Sequence, residues 1–307
     1  MLLPDLLRLL QDLSGLTQTE LARQLGVSFV AFNRWINGQA KPRKGAAARI
    51  EALLQEHLKT GVLPDRPVIG KKSALVAWAR SSPSTLRTLL DRPDLLQEFE
   101  LRLTYTSNRI EGSTLTEAET AAVIFDDAAV ARRALADQIA AKNHQAALRA
   151  LFRFVEAGES ITEEFVLRLH AILMNGLRDD AGQYRSHGVR IVGSNIPTAN
   201  PLSVPRLMTE LVASIEKSPH DAIAHAADIH AQFEKIHPFA DGNGRVGRLL
   251  LHMMLFRANL PPSIIRSQRK RAYYAALQQA QSGGGTEKLE IVICDGILDG
   301  RRIVEKS

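Results

Sequence analysis

The chain is 307 residues long, enough for two domains. Its 45% hydrophobic content supports packed cores, and 5% aromatic is low without being the mark of a disordered chain. A formal charge of +6 suits polyanionic partners such as ATP or DNA. No run of about 18 apolar residues offers a membrane span. The single cysteine, Cys294, excludes an internal disulfide and fits a reducing, cytoplasmic setting, with Ile291, Val292 and Ile293 around it as core.

The start, Met1-Leu2-Leu3-Pro4-Asp5, has no basic stretch before its leucines and reads as an amphipathic helix rather than a signal peptide. Leu6, Leu7, Leu9, Leu10 and Leu13 form a helical apolar stripe. Thr17-Gln18-Thr19-Glu20 is a capping box that opens a second helix through Leu25. Gly26 closes that helix, Val27-Ser28 leads into a third over 29–36, and Asn37-Gly38 stops it. Two short helices about a tight glycine turn are the helix-turn-helix pattern. The stretch from Leu16 through Pro42 resembles the Cro/repressor type, in Thr17-Gln18, Leu21-Ala22, Leu25-Gly26-Val27-Ser28 and Arg34-Trp35-x-x-Gly38. The resemblance implies DNA binding with the third helix in the major groove. Ser28, Phe29, Asn33 and Arg34 would then face bases or phosphates, and Lys41, Arg43 and Lys44 the backbone. Trp35 is expected in the core. A small helical module for protein binding or dimerisation is the alternative.

Residues 63–72, rich in Pro and Lys and without helical period, read as a linker. The expected domains are therefore 1–62 and 73–307. Helical pattern resumes at Ser73, breaks around Ser81-Ser82-Pro83 and returns through Leu103. Ser107 and Glu111, four apart, share a helical face, and Gly112 is a C-terminal stop. The stretch 115–151 is Ala-rich and helical, opened by a second capping box at Thr116 and Glu119. Another helix is expected from Ile161-Thr162 to about Leu177. Residues 189–197 are the one strand-like patch, short, β-branched and bounded by Gly and Pro. His230 is expected to be a helix residue packed near the site that follows.

That site is Ile236-His237-Pro238-Phe239-Ala240-Asp241-Gly242-Asn243-Gly244-Arg245-Val246-Gly247-Arg248, set between two apolar helical stretches. Gly242 and Gly244 allow a turn whose free N–H groups, at a helix N-terminus, form a nest for phosphate. Arg245 and Arg248, three apart, face one ligand, and two guanidiniums beside such a nest suggest a polyphosphate. Asp241 supplies an oxygen ligand of the kind Mg²⁺ uses when it rides on phosphates. His237 is the natural general base, since its unperturbed pKa lies near neutrality. Phe239 reads as an apolar anchor. Beyond the loop, Arg271-x-Tyr273-Tyr274 opens a helix, Gly283-Gly284-Gly285 breaks it, and a last helix runs from Lys288 to about Val304.

The stretch resembles the Fic family signature, His-x-Phe-x-(Asp/Glu)-Gly-Asn-Gly-Arg-x-x-Arg, at every fixed position. The resemblance covers about Leu75 to Tyr274. It implies an all-α Fic fold with a small β-hairpin flap, behind the helix-turn-helix domain. It also implies transfer of AMP from ATP to a Ser, Thr or Tyr hydroxyl of a target protein, with Mg²⁺. His237 would deprotonate the hydroxyl and Asp241 hold the metal. Asn243 and the Gly242–Gly244 backbone would cradle the α- and β-phosphates, with Arg245 on the β- and Arg248 on the γ-phosphate. Ser107, Glu111 and Gly112 match the family's inhibitory motif, Ser/Thr-x-x-x-Glu-Gly, on a helix near 104–112. Glu111 would pair with Arg248 and exclude the γ-phosphate. Ile191, Val192 and Gly193 would belong to the flap that holds the target by main-chain pairing. The Tyr273-Tyr274 region would help wall the adenine pocket. Two rival readings stay open: a Fic enzyme that removes AMP or moves another phosphate-containing group, and a transcription regulator whose Fic part senses nucleotide or serves dimerisation. A homodimer is left open as well.

Overall fold

The computed structural model describes residues 7, 10, 11, 14, 16–60, 66–191, 196–217 and 221–305. The chain divides into two compact units, Met1–Ala74 and Leu75–Ser307. Among the described residues every regular element is helical, and no helix is long and apolar enough to cross a membrane.

In the first unit, α1 (Gln18–Gln24) begins at the predicted capping box: Thr17 accepts from the Glu20 N–H and Glu20 returns a bond to the Thr17 N–H. Its turn passes through Gly26 at φ 63° into α2 (Phe29–Ile36), capped by Ser28. Helix α3 (Lys44–Thr60) closes the unit. Leu7, Leu10, Leu21, Leu25, Phe32, Trp35, Ile36 and Ile50 make one buried core. The apolar faces of three short helices thus converge on it, and Trp35 is core as expected. The other leucines of the N-terminal stripe, Leu6, Leu9 and Leu13, lie outside the described residues.

The predicted linker needs correction. Helix α4 (Arg66–Ser81) covers most of it and crosses the division at Ala74. Pro67 is its second residue, where a missing N–H costs no intrahelical bond, so this proline does not mark a break. From Leu75 on, α4 belongs to the second unit: Leu75 and Ala79 enter its core, and the Trp78 indole N–H donates to Glu305 at 3.0 Å.

The second unit continues with α5 (Thr85–Leu90), α6 (Pro93–Ile110), α7 (Glu117–Phe125), α8 (Leu135–Glu156) and α9 (Glu163–Met174). After α10 (Val204–Ile215) come α11 (Ala222–Ile236), α12 (Asn243–Arg257), α13 (Lys270–Gln281) and α14 (Glu287–Val304). The Ala-rich stretch 115–151 is two helices rather than one. Residues 126–134 form an irregular connection in which Asp127 and Arg132 take positive φ. Alanine propensity alone does not hold a helix through Asp126-Asp127. The hairpin expected around 191–193 is not among the described elements: Ile191 has no regular structure, and Val192 and Gly193 lie outside the described residues.

Helix α12 is the axis of this unit. Nearly every residue from Asn243 to Phe256 is buried, because α8, α9 and α11 pack around it. A helix buried all round is held firmly, so whatever its N-terminal turn presents is held firmly too.

Candidate active site

Helix α11 ends at His237, whose backbone sits in the left-handed region at φ 52° and ψ 61°. That is uncommon for a residue with a Cβ and marks a constrained position. The reversal sends the chain through Pro238 and Phe239 to Gly242 at φ 81°, which starts α12. Gly242 is required twice over: by that φ, and because a Cβ would fall 2.9 Å from the Met174 sulfur.

Three interactions hold the loop. Phe239 is fully buried and stacks on the His170 imidazole at 3.7 Å. That burial is worth about 2–3 kcal/mol. The His170 ring is itself fixed: Nδ1 accepts the Gly182 N–H at 2.9 Å, so Nε2 carries the proton and donates to the Asp241 carbonyl at 3.0 Å. Burial lowers its pKa to about 4, which keeps it neutral. Asn243 brackets Phe239, its Oδ1 accepting the Phe239 N–H at 2.9 Å and its Nδ2 donating to the Phe239 carbonyl at 2.8 Å. This side chain, expected among phosphates, also fixes the shape of the loop.

The His237 Nδ1 lies 3.2 Å from the Glu234 carbonyl. A carbonyl can only accept, so Nδ1 carries the proton and Nε2 is left as the basic nitrogen. Burial lowers the pKa of this imidazole, favouring its neutral, proton-accepting form. The Asp241 side chain is 60% exposed. One oxygen accepts the Gly242 N–H at 2.6 Å, and the other stands 3.6 Å from Arg245. Asn243, Gly244 and Arg245 form the first turn of α12, where N–H groups lack intrahelical acceptors.

Arg245 and Arg248 are both buried, as their three-residue spacing and the packing of α12 require. Arg248 Nε donates to the Ser107 hydroxyl at 2.9 Å, and Nη2 donates to the Ser107 carbonyl at 3.1 Å and to Glu111 Oε1 at 2.7 Å. Arg248 Nη1 and Arg245 Nε have no partner. Glu111 C-caps α6, and Gly112 at φ 105° turns the chain away. The glutamate does more than touch the arginine. A Cβ placed on Gly244 would collide with Glu111 Oε1, so this carboxylate lies against the N-terminal turn of α12. Burial would lower the pKa of Arg248; the Glu111 charge and hydrogen bond, with Tyr273 and Tyr274, together outweigh it and raise the value above the usual range.

The geometry thus brings together His237, Asp241, the Gly242–Gly244 turn, Arg245, Arg248, Ser107 and Glu111, from segments more than a hundred residues apart. Residues 160–255 match the Fic/DOC family, and residues 6–59 match the helix-turn-helix family. The chain carries a Fic domain behind a Cro/repressor-type helix-turn-helix domain. The Fic domain is similar to the protein adenylyltransferase Fic of Nematostella vectensis, at 33% identity over 61% of this chain and 45% of that protein. It is similar to fic-1 of Caenorhabditis briggsae at 30% identity over 70% and 47%. The chain spans about half the length of these curated relatives. A crystal structure of a Fic family protein from Desulfovibrio desulfuricans is 27% identical, with a TM-score of 0.66 over 80% of this chain and 77% of that one. Fic-1 from C. elegans, at 21% identity and a TM-score of 0.66, shares the fold.

Three residues that hold the Fic loop escaped sequence reading: His170, Arg185 and Glu234. Each had a signal. His170 is a polar residue on the apolar stripe of α9, and Glu234 faces inward on α11. Arg185 stands in a Gly-Gln-Tyr-Arg run with no helical role. His230 is buried on α11, bonded through Nε2 to the Tyr273 hydroxyl at 2.7 Å, as the bland expectation had it.

In the helix-turn-helix domain the expected contact residues divide. Phe29, Arg34, Lys41 and Arg43 are exposed. Ser28 spends its hydroxyl on the Ala31 N–H at 3.2 Å, and Asn33 bonds to Gln18 at 3.1 Å. Val30, not expected, is 65% exposed beside Phe29.

Proposed function

We propose that the Fic domain is an autoinhibited protein adenylyltransferase, moving AMP from ATP to a Ser, Thr or Tyr hydroxyl of a target protein. The observation that carries this reading is the plug: a carboxylate lies against the glycine turn and holds the arginine a terminal phosphate would need. In the reaction the target oxygen attacks the α-phosphorus as its proton passes to His237 Nε2. The bond to the bridging oxygen breaks, and pyrophosphate leaves. The first turn of α12 and Arg245 hold the phosphates in line, so most of the rate gain is positioning and charge neutralisation. Among the described residues no three His, Cys, Asp or Glu are grouped for a metal, and Asp241 offers an exposed carboxylate whose second oxygen has only a loose contact to Arg245 at 3.6 Å. One carboxylate plus phosphate oxygens is the donor set Mg²⁺ accepts, so Asp241 is the residue that would hold it. Mg²⁺ would supply charge neutralisation on the leaving phosphates. Glu111 on Arg248 takes the γ-phosphate's place, which is the autoinhibition. For the helix-turn-helix domain we propose duplex DNA as partner, supported by the exposed Phe29, Val30 and Arg34 on α2 and by Lys41 and Arg43 after it.

Mass spectrometry after exposure to ATP and Mg²⁺, with and without cell extract, tests the enzymatic reading. Glu111→Gly should label itself or a target roughly 10- to 100-fold faster than wild type, the factor that losing a charge-assisted bond of about 1.5–3 kcal/mol allows. Glu111→Gly/His237→Ala should not label at all. An inert Glu111→Gly protein would end this reading.

A further inference from the structure

The loop after α9 holds a buried arginine of unusual company. Arg185 is 4% exposed, yet its partners among the described residues are all backbone carbonyls. Its Nε donates to the His237 carbonyl at 2.7 Å and Nη2 to the Ile236 carbonyl at 3.3 Å. Its own backbone N–H donates to the Pro238 carbonyl at 2.9 Å. Three successive carbonyls, 236 to 238, are thus bound by one residue. The remaining donors reach the other way, Nη1 to the His187 carbonyl at 2.8 Å and Nη2 to the Ala199 carbonyl at 2.6 Å. No carboxylate pairs with it among the described residues. A buried charge without a counter-ion is costly unless every donor is satisfied, and a guanidinium is the one side chain able to grip four carbonyls in a plane.

We infer that Arg185 is a positioning residue that locks the left-handed His237 backbone to both ends of the 187–199 segment, holding base and target-binding segment in one frame. This rests on the adenylyl-transfer reading for its kinetic consequence but not for its geometry. His237 sits in a strained region at φ 52°, and the bonds to carbonyls 236, 237 and 238 are what hold it there. The His187 and Ala199 bonds bracket the stretch expected to hold the target, so a shift of one end would move the hydroxyl relative to Nε2. The charged groups facing the His237 imidazole are Arg185, Glu111 and Asp241, and the titratable Glu234 carboxyl on its own helix stands 3.9 Å from Nδ1. Arg185 is the cation among them.

The test uses the full chain in the Glu111→Gly background, comparing Arg185→Lys and Arg185→Gln. Both should keep ATP affinity, since the nest on α12 is untouched, while kcat falls on the order of 100-fold, as misplacement by about an ångström does. The acidic limb of the kcat/KM profile should move to higher pH in Arg185→Gln, which loses the cation, and stay in place in Arg185→Lys, which keeps it. A merely structural role would lower thermal stability in both variants and leave kcat of the folded protein unchanged in Arg185→Lys. An NMR titration of the His237 imidazole reads the same contrast without turnover, so it decides even if the domain proves not to transfer AMP. Unchanged kcat in both variants, or an unmoved titration in Arg185→Gln, would overturn the inference. Should neither variant fold, the wild-type Arg185 Nε–H decides. Slow exchange with solvent and a scalar coupling to the His237 carbonyl uphold the lock, and rapid exchange refutes it.

Discussion

Asn243, placed among the phosphates by the family resemblance, has a structural task in the loop as well. Its amide makes two reciprocal bonds to the Phe239 backbone, 2.9 and 2.8 Å, as a neighbouring strand would. Without it the buried N–H and C=O of Phe239 lose their partners, and each orphaned group costs about 1–3 kcal/mol. Asn243→Ala should therefore lower the thermal midpoint of the Fic domain by about 5–10 °C, seen by calorimetry without any nucleotide. Asn243→Asp keeps the acceptor, loses the donor and should fall between. If Asn243 served only as a phosphate ligand, the midpoint would stay and ATP affinity alone would drop.

At the scale of elements, what could be read from sequence was what local chemistry decides. The capping boxes at Thr17 and Thr116, the stops at Gly26 and Gly112, and the Ser107–Glu111 face all appear where their residues indicate. So does the meeting of Glu111 with Arg248, because the family resemblance supplied the long-range pairing that periodicity cannot. Arg185 and His170 were hard to read for the converse reason: their roles are set by partners 52 and 71 residues away, through backbone atoms that every residue carries. Helix α4 was missed because Pro67 and Gly70 look like a break, though a first-turn proline breaks nothing. On α2, the exposed face carries Phe29, Val30 and Arg34 while Phe32, Trp35 and Ile36 bury the other. Exposed apolar residues at a helix N-terminus suit thymine methyl groups, and Arg34 suits phosphate or guanine. In a mobility-shift series, Arg34→Ala should weaken binding to all duplexes and reduce the salt slope by about one. Val30→Ser should cost about 1 kcal/mol on preferred sequences only. A protein whose retention of duplex DNA is indifferent to both changes uses this domain for something else.

For the molecule as a whole, folding sequesters a set of groups in protonation states they would not hold in water. Burial drops His170 to about 4 and His230 and His252 to about 3, and pushes His144 well below its usual value. Burial raises the Glu234 carboxyl to about 8. The signs oppose one another. An imidazole with a depressed folded pKa contributes stability above pH 6.5 that is lost as pH falls toward its folded value, because the unfolded chain takes up the proton. Glu234, with a raised folded pKa, contributes stability below its unfolded value of 4.5 that is lost as pH rises toward 8. At pH 5.5 the four imidazoles gain protons on unfolding while Glu234 releases one, for a net uptake on the order of three protons. Stability should therefore rise by about 4 kcal/mol per pH unit near pH 5.5, flatten at about pH 7 and decline gently toward about pH 8. Urea titrations of the full chain across this range measure the slope directly. Glu234→Gln removes the opposing proton, so it should steepen the acidic rise by about one proton and abolish the decline above about pH 7. A slope unchanged by that substitution would mean that Glu234 is ionised in the folded protein, paired with Arg248 in place of lying neutral beside it.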